Sequence, residues 1–176
     1  MLELGSSLEE FKLLNTVSGN DFSSSELDKA KPSLIMFICN HCPYVIHYHD
    51  EIKRLANDFD NTINMVAISS NDIKEYPQDG PDKMRELWVE LGLSFPYLFD
   101  STQDVAKHYK AECTPEFYLF DSSQKLVYRG RLDESSPNSG LEPTGEDLRN
   151  AIENALNNKD VNADQFPSMG CNIKWK

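Results

Sequence analysis

The chain is short of positive charge. Its 176 residues carry 17 Lys and Arg against 29 Asp and Glu, a formal net charge of −12 at pH 7. A nucleic acid or an anionic lipid surface would repel such a chain, so neither is expected as a partner. Long apolar runs are missing too. The longest clean one, Leu34 to Ile38, is far too short to cross a bilayer. Met1-Leu2-Glu3-Leu4-Gly5 holds neither a basic region nor an apolar stretch of signal-peptide length, which makes the cytoplasm the expected location. Cysteine is scarce, 4 in all, too few for a disulfide-stapled scaffold. No internal repeat, low-complexity tract or domain boundary stands out. Residues 1–176 are expected to form one domain, with a core from about residue 10 to about residue 158 and a tail (159–176) docking on it.

What is present is a run of alternating elements. Residues 10–17 read as a strand, Ser18-Gly19-Asn20-Asp21 as a turn, and Phe22 to Leu27 as the way into the next element, so a short N-terminal hairpin is expected. Leu34 to Ile38 is continuously apolar rather than alternating, the mark of a central strand covered on both faces. From Pro43 the apolar residues Val45, Ile46, His49, Ile52, Leu55, Ala56 and Phe59 recur at helical spacing, and Pro43 suits a first helical turn. Ile63–Ser69 reads as a second buried strand, 71–81 as loop, 82–91 as a helix stopped by Gly92, and 95–100 as a short extended piece. Residues 102–109 read as a short helix, 116–120 and 125–129 as an antiparallel hairpin, and 144–156 as a helix capped by Thr144 with Asp147 as its acidic partner. This order predicts an α/β fold with a central mixed sheet and helices on both faces.

At the exit of the first buried strand stands Cys39-Asn40-His41-Cys42-Pro43. Disulfide exchange needs one exposed, acidic thiol and a second thiol within reach, because the thiolate is the reactive form. Placed at the start of a helix, Cys39 would have its anion stabilised by unpaired backbone N–H groups, and Cys42, about one turn on, would resolve the mixed disulfide. His41 beside the sulfurs would favour the Cys39 thiolate and make the centre more oxidising.

These residues, with Cys113-Thr114-Pro115-Glu116-Phe117, Tyr128-Arg129-Gly130-Arg131 and Gly170-Cys171-Asn172-Ile173-Lys174-Trp175, resemble the thioredoxin superfamily, and within it the peroxiredoxin-like branch of the alkyl hydroperoxide reductase and thiol-specific antioxidant group. The resemblance implies a thioredoxin-like fold and a redox-active Cys39. It also makes Thr114-Pro115 a cis-proline loop that presents an extended substrate, with Pro115 at the centre and Thr114 and Asn40 in contact with the substrate. Protein or small-molecule thiols and disulfides, with a separate electron donor, would be the partners. No organic cofactor is called for, because the electrons travel through sulfur. The peroxide-binding pattern Pro-x-x-x-Thr-x-x-Cys of that group is altered: with Cys42 in the cysteine slot, Cys39 replaces Thr and Ile35 replaces Pro. The acid that thioredoxins bury six residues before the first cysteine is Ser33 here. Dithiol exchange is therefore expected, with thiol-dependent peroxidase activity as the alternative.

A metal is not expected. Zinc held by Cys39, Cys42 and a further ligand, or a redox-sensing module, is the rival, but structural zinc sites usually pair two such knuckles. Cys113 beside the proline loop and Cys171 in the tail are candidate third thiols. Cys113 is equally readable as a space-filling residue, and the tail as a segment held down by Trp175. His47 reads as solvated and His49 as a satisfied core residue. Arg129 and Arg131 share one strand face. The pairs Glu9-Glu10, Asp50-Glu51 and Asp133-Glu134 read as solvated surface.

Overall fold

The computed structural model describes residues 1–176. Its strands are β1 (Lys12–Asn15), β2 (Asp21–Ser23), β3 (Ser33–Phe37), β4 (Asn64–Ser69), β5 (Tyr97–Phe99), β6 (Cys113–Thr114), β7 (Glu116–Phe120), β8 (Leu126–Gly130) and β9 (Cys171–Asn172). Its helices are α1 (Pro43–His47), α2 (His49–Asp58), α3 (Pro81–Leu91), α4 (Asp104–Tyr109) and α5 (Glu146–Leu156). No helix is long and apolar enough to cross a membrane.

Seven strands make the main sheet in the order β2-β1-β5-β4-β3-β7-β8. β3, β4 and β5 run parallel, and the remaining pairings are antiparallel, so the sheet is mixed as the element order predicts. The apolar continuity of β3 follows from its central place. Leu34, Met36 and Ile38 join the core shared with α1, α2, α3 and α5, while Ile35 and Phe37 join the opposite core with Tyr109 and Tyr118. Burying each such side chain contributes about 1.5–3 kcal/mol, which pins the strand and hence the loop that leaves it. The hairpin β1–β2 and the hairpin β7–β8 also form as expected.

Four local expectations are corrected. The helix after Pro43 is two helices: Tyr48, at φ −94° and ψ 0°, separates α1 from α2, and its hydroxyl donates to the Ser135 carbonyl at 2.7 Å. That tertiary bond competes with a straight helix, and Ile46 ends up exposed. Thr144 is not the cap of α5. Gly145, at φ +66°, takes that place, and the Asp133 carboxylate accepts from the Thr144 and Gly145 amides at 2.7 Å each. Asp147 pairs instead with Arg131 at 2.6 Å. Nor are the acidic pairs all surface: Asp133 is buried, and Glu51, only 1% exposed, lies between Arg54 and Arg149 at 2.6 Å each. Finally the tail is anchored by Ile173, 1% exposed, whereas Trp175 stays 44% exposed. Ile173 packs in the apolar cluster with Tyr109, Ala111 and Tyr118, and Trp175 lies outside it.

Candidate active site

β3 ends at Phe37, and the chain crosses Ile38 to Asn40 before Cys42 caps α1 with Pro43 as the first helical residue. Cys42, not Cys39, is therefore the sulfur at the helix end. Both are buried, at 1% exposure for Cys39 and 0% for Cys42, so the expectation of an exposed first thiol is corrected. The Thr114–Pro115 peptide is cis and closes over the pair. Thr114 Oγ1 lies 3.4 Å from Cys39 Sγ, and the Thr114 carbonyl lies 3.1 Å from Cys42 Sγ. All four cysteines are free thiols.

The electrostatics put the thiolate on Cys42. Its pKa is pulled down to about 4, first by a hydrogen bond from the Cys39 thiol and then by the Cys171 thiol and the Val45 and Cys171 amides, against the cost of burial. The Thr114 carbonyl favours the protonated thiol instead, but the donors around the sulfur outnumber it. Cys39 is held above the ordinary thiol range by that same bond to Cys42, by burial and by the nearby Asp79 carboxylate. An anion on one sulfur is stabilised by the proton on the other, as a coupled pair requires.

Asp79 is the residue that sequence reasoning misses. It sits in a short 3-10 turn, Pro77–Asp79, that folds back on the cysteine loop. Its fully buried carboxylate accepts from the Asn40 amide at 2.8 Å, the His41 amide at 3.3 Å, His41 Nδ1 at 2.6 Å and Asn71 Nδ2 at 2.8 Å. His41 Nδ1 is also 4.0 Å from Cys39 Sγ, and the ring stacks on Tyr76 at 5.4 Å. A buried acid therefore stands beside Cys39, carried by a loop rather than by the strand that holds Ser33. A signal for it existed: two consecutive amides ahead of a helix, at Asn40 and His41, need an acceptor.

The other expected site residues divide. The Asn40 side chain is held within the protein, where Nδ2 donates to the Gln78 carbonyl and Oδ1 accepts from Tyr97. Cys171 lies against the pair, with its Sγ 2.9 Å from Cys42 Sγ. Cys113 does not: its Sγ faces the Pro115 and Ser168 carbonyls at 3.9 Å, and burial followed by Glu116 pushes its pKa up to about 12. Alternation explains the split, since adjacent residues of a strand point to opposite faces and Thr114 takes the one toward the sulfurs. Beside Cys113 a cavity of about 600 Å³ opens, lined by Tyr44, Glu116 and Met169 among others. His47 is hydrogen-bonded to Ser135 at 3.0 Å rather than merely solvated. His49 is not satisfied, because its buried Nε2 has no partner. Arg129 and Arg131 serve the termini, through the Met1 carbonyl and the Phe166 ring.

Cys39 Sγ, His41 Nδ1 and an Asp79 oxygen lie within 4.8 Å of one another, the spacing of a metal cluster. A cation there would have to displace the His41 and Asn71 hydrogen bonds to Asp79. The geometry is that of a hydrogen-bonded acid rather than of free ligands.

The family described as Redoxin matches residues 3–145. An uncharacterized conserved protein from Geobacillus kaustophilus is 48% identical at a TM-score of 0.97, covering 100% of this chain and 94% of its own. A hypothetical protein from Sinorhizobium meliloti is 38% identical at a TM-score of 0.96, covering 100% and 96%. A secreted disulfide oxidoreductase from Mycobacterium tuberculosis, homologous to Escherichia coli DsbE, is 16% identical at a TM-score of 0.63, covering 81% and 94%, and is similar in fold. Comparison with curated proteins gives no match.

Proposed function

The chain belongs to the Redoxin family of the thioredoxin superfamily, and from that premise we propose that it is a thiol–disulfide oxidoreductase working through Cys39 and Cys42. The observation that carries this reading is the buried Cys39–Cys42 pair held under the cis Thr114–Pro115 peptide, with Thr114 Oγ1 3.4 Å from Cys39 Sγ and the Thr114 carbonyl 3.1 Å from Cys42 Sγ. One sulfur attacks a substrate disulfide, forms a mixed disulfide and releases the first substrate thiolate, which takes up a proton. The other sulfur then attacks the mixed disulfide at the protein's own sulfur. The Cys39–Cys42 bond forms, the second substrate thiol leaves, and two electrons have passed to the substrate. His41 and Asp79 hold the loop beside Cys39. A separate thiol donor restores the pair, and the cytoplasm, where reduced donors are maintained, suits this direction.

The experiment is turnover of an aromatic disulfide with a thiol donor by Cys171→Ser, which leaves only the Cys39–Cys42 pair at the site, and by the same protein carrying Cys39→Ser or Cys42→Ser. Loss of turnover in both variants supports the reading, and full turnover in either one sinks it.

A second reading is a thiol-dependent peroxidase, favoured by the same acidic Cys42 with Cys171 against it. There the Cys42 thiolate would take one oxygen from a hydroperoxide, release the alcohol, and lose water on bonding to a second thiol. Against it, no arginine is turned to the sulfurs: Arg54, Arg131 and Arg149 are paired with carboxylates, Arg129 donates to the Met1 carbonyl, and Arg85 is exposed. Peroxide consumption that survives Cys39→Ser but not Cys42→Ser would favour it.

A further inference from the structure

The last residues of the chain lie along the edge of the proline loop. Cys171 is in register with Thr114, and Asn172 with Cys113, as antiparallel strands. The segment is tied down on both sides. The Ile173 amide donates to the Glu112 carbonyl at 3.0 Å, and the Asp72 amide donates to the Lys174 carbonyl at 2.8 Å. The Lys174 amide donates to Asn71 Oδ1 at 2.9 Å, and the Lys176 amide to Gln103 Oε1 at 3.0 Å. Asn71 is the residue whose other amide end holds Asp79, so one side chain registers the tail and the acid together. Gly170 lets this happen: a Cβ there would overlap the Thr114 carbonyl. Such a course, with Ile173 buried beneath it, leaves Cys171 little choice of position.

That position is against Cys42. The two sulfurs are 2.9 Å apart, less than about 1 Å beyond the length of a disulfide. Cys42 therefore has a thiol on each side: Cys39, from its own loop, and Cys171, from the tail.

We infer that Cys171 is a third exchanging thiol of this centre, and that a Cys42–Cys171 disulfide is the form in which the oxidised protein rests. The inference builds on the dithiol reading above. After a substrate disulfide has been reduced, the protein holds a Cys39–Cys42 bond. Cys171 Sγ attacks Cys42 Sγ. The Cys42–Cys171 bond forms, the Cys39–Cys42 bond breaks, and its electron pair leaves on Cys39, which takes up the proton that Cys171 gives up. The step is an internal exchange and gains or loses no electrons. It leaves Cys39 reduced and fixes the tail covalently along the Cys113–Thr114 edge, the edge an extended substrate would need. Two external thiols then return the centre to three free thiols: one attacks the Cys42–Cys171 bond to form a mixed disulfide, and the second attacks that bond, frees the cysteine and leaves as the external disulfide. The tail already lies on that edge with all thiols free, so the bond makes its hold covalent.

The test uses the full chain. Reduced protein is oxidised with one equivalent of diamide, free thiols are alkylated at low pH, and the linkages are mapped by mass spectrometry without reduction. The expected result in the wild type and in Cys113→Ser is a dominant Cys42–Cys171 linkage with Cys39 alkylated. Cys39→Ser should still form that linkage, and Cys171→Ser should form Cys39–Cys42 alone. A dominant Cys39–Cys42 linkage in the wild type, with Cys171 alkylated, would overturn the inference and leave the dithiol reading standing. No linkage in the wild type or in Cys171→Ser would overturn both. The decisive measurement is made on the wild type, so it does not depend on the folding of any variant.

Discussion

His41 Nδ1 and Asp79 Oδ2 lie 2.6 Å apart, although the same nitrogen faces Cys39 Sγ at 4.0 Å. The imidazole is therefore not a free donor to the sulfur. It is committed first to a buried carboxylate whose charge opposes a thiolate on Cys39. His41 thus acts on the centre through that carboxylate rather than through a direct bond to the sulfur. Removing Asp79 should stabilise the reduced, anionic form, and removing His41 should leave the carboxylate less compensated.

The first prediction is a pair of opposite shifts. Asp79→Asn keeps the shape of the side chain and should raise the reduction potential of the first-formed disulfide by about 30 mV, equivalent to ~1.4 kcal/mol. His41→Ala should lower it, and the double variant should return toward the wild type because the two changes are coupled. Equilibration of the Cys171→Ser background with a thiol buffer of known potential measures all four proteins. Shifts of the same sign in both single variants would refute the compensation.

Cys42 gives a pH prediction. Its folded pKa, about 4, lies below the ordinary thiol value, so the folded protein binds the proton less tightly than the unfolded chain does. The stabilisation is fully present above the ordinary thiol pKa, near ~8.5, and is lost as pH falls through the folded value. Thiolate absorbance of the reduced protein should accordingly persist through the neutral range and titrate near pH 4. Cys42→Ser should abolish this step. Cys39→Ala should move it upward, because it removes the thiol that is the largest single contributor. An absorbance step in the ordinary thiol range in the wild type would contradict the assignment.

Much of this was legible in the chain, and the failures share a cause. The apolar run of β3, the two hairpins and the αL stop at Gly92 are local signals, and each formed where the residues placed it. The need for an acceptor at the Asn40 and His41 amides was legible, but not that Asp79 meets it, because Asp79 reaches His41 from a loop without periodicity 38 residues away. The break at Tyr48 depends on a hydroxyl bond to Ser135, 87 residues on. The choice between Cys113 and Cys171 turned on which face of a two-residue strand meets the sulfurs, and sequence spacing cannot phase so short an element. Trp175 drew attention by its size, but the residue that the tail buries is Ile173.

A buried, unpartnered nitrogen supplies the third prediction. His49 Nε2 has no hydrogen-bond partner, and burial lowers the pKa of the ring, while Asp50 and Glu90 pull it the other way. A lowered folded pKa means that the unfolded chain takes up the proton first. Stability from the neutral ring is thus complete above the unfolded value of ~6.5 and declines as pH falls below it. His49→Leu removes both the orphaned nitrogen and the titration. It should be neutral or stabilising at about pH 8, and should gain on the order of 1 kcal/mol relative to the wild type on going to about pH 5. Urea denaturation at the two pH values measures this, and an equal difference at both would show that the ring does not titrate with folding.

The tail gives the last prediction, and it separates packing from chemistry. Gly170 has no room for a methyl group, because a Cβ would overlap the Thr114 carbonyl, which belongs to the backbone and cannot rotate away. Gly170→Ala must therefore lift the tail or move the proline loop. Overpacking of this kind costs about 1–3 kcal/mol, a fall in Tm of roughly 2–10 °C for a chain of this size. The tail should give first, since it pairs through β9, a strand of only two residues at the chain's end, whereas the loop leads straight into the central strand β7. Lifting it separates Cys171 from Cys42 and uncovers both buried sulfurs. Alkylation of Cys171 and Cys39 should then quicken by about tenfold or more, the effect of ~1.4 kcal/mol on the opening equilibrium. The same variant should lose the Cys42–Cys171 linkage on mild oxidation while keeping Cys39–Cys42. If Tm falls but alkylation does not change, the proline loop has moved instead, and the tail is not what shields the cysteine pair.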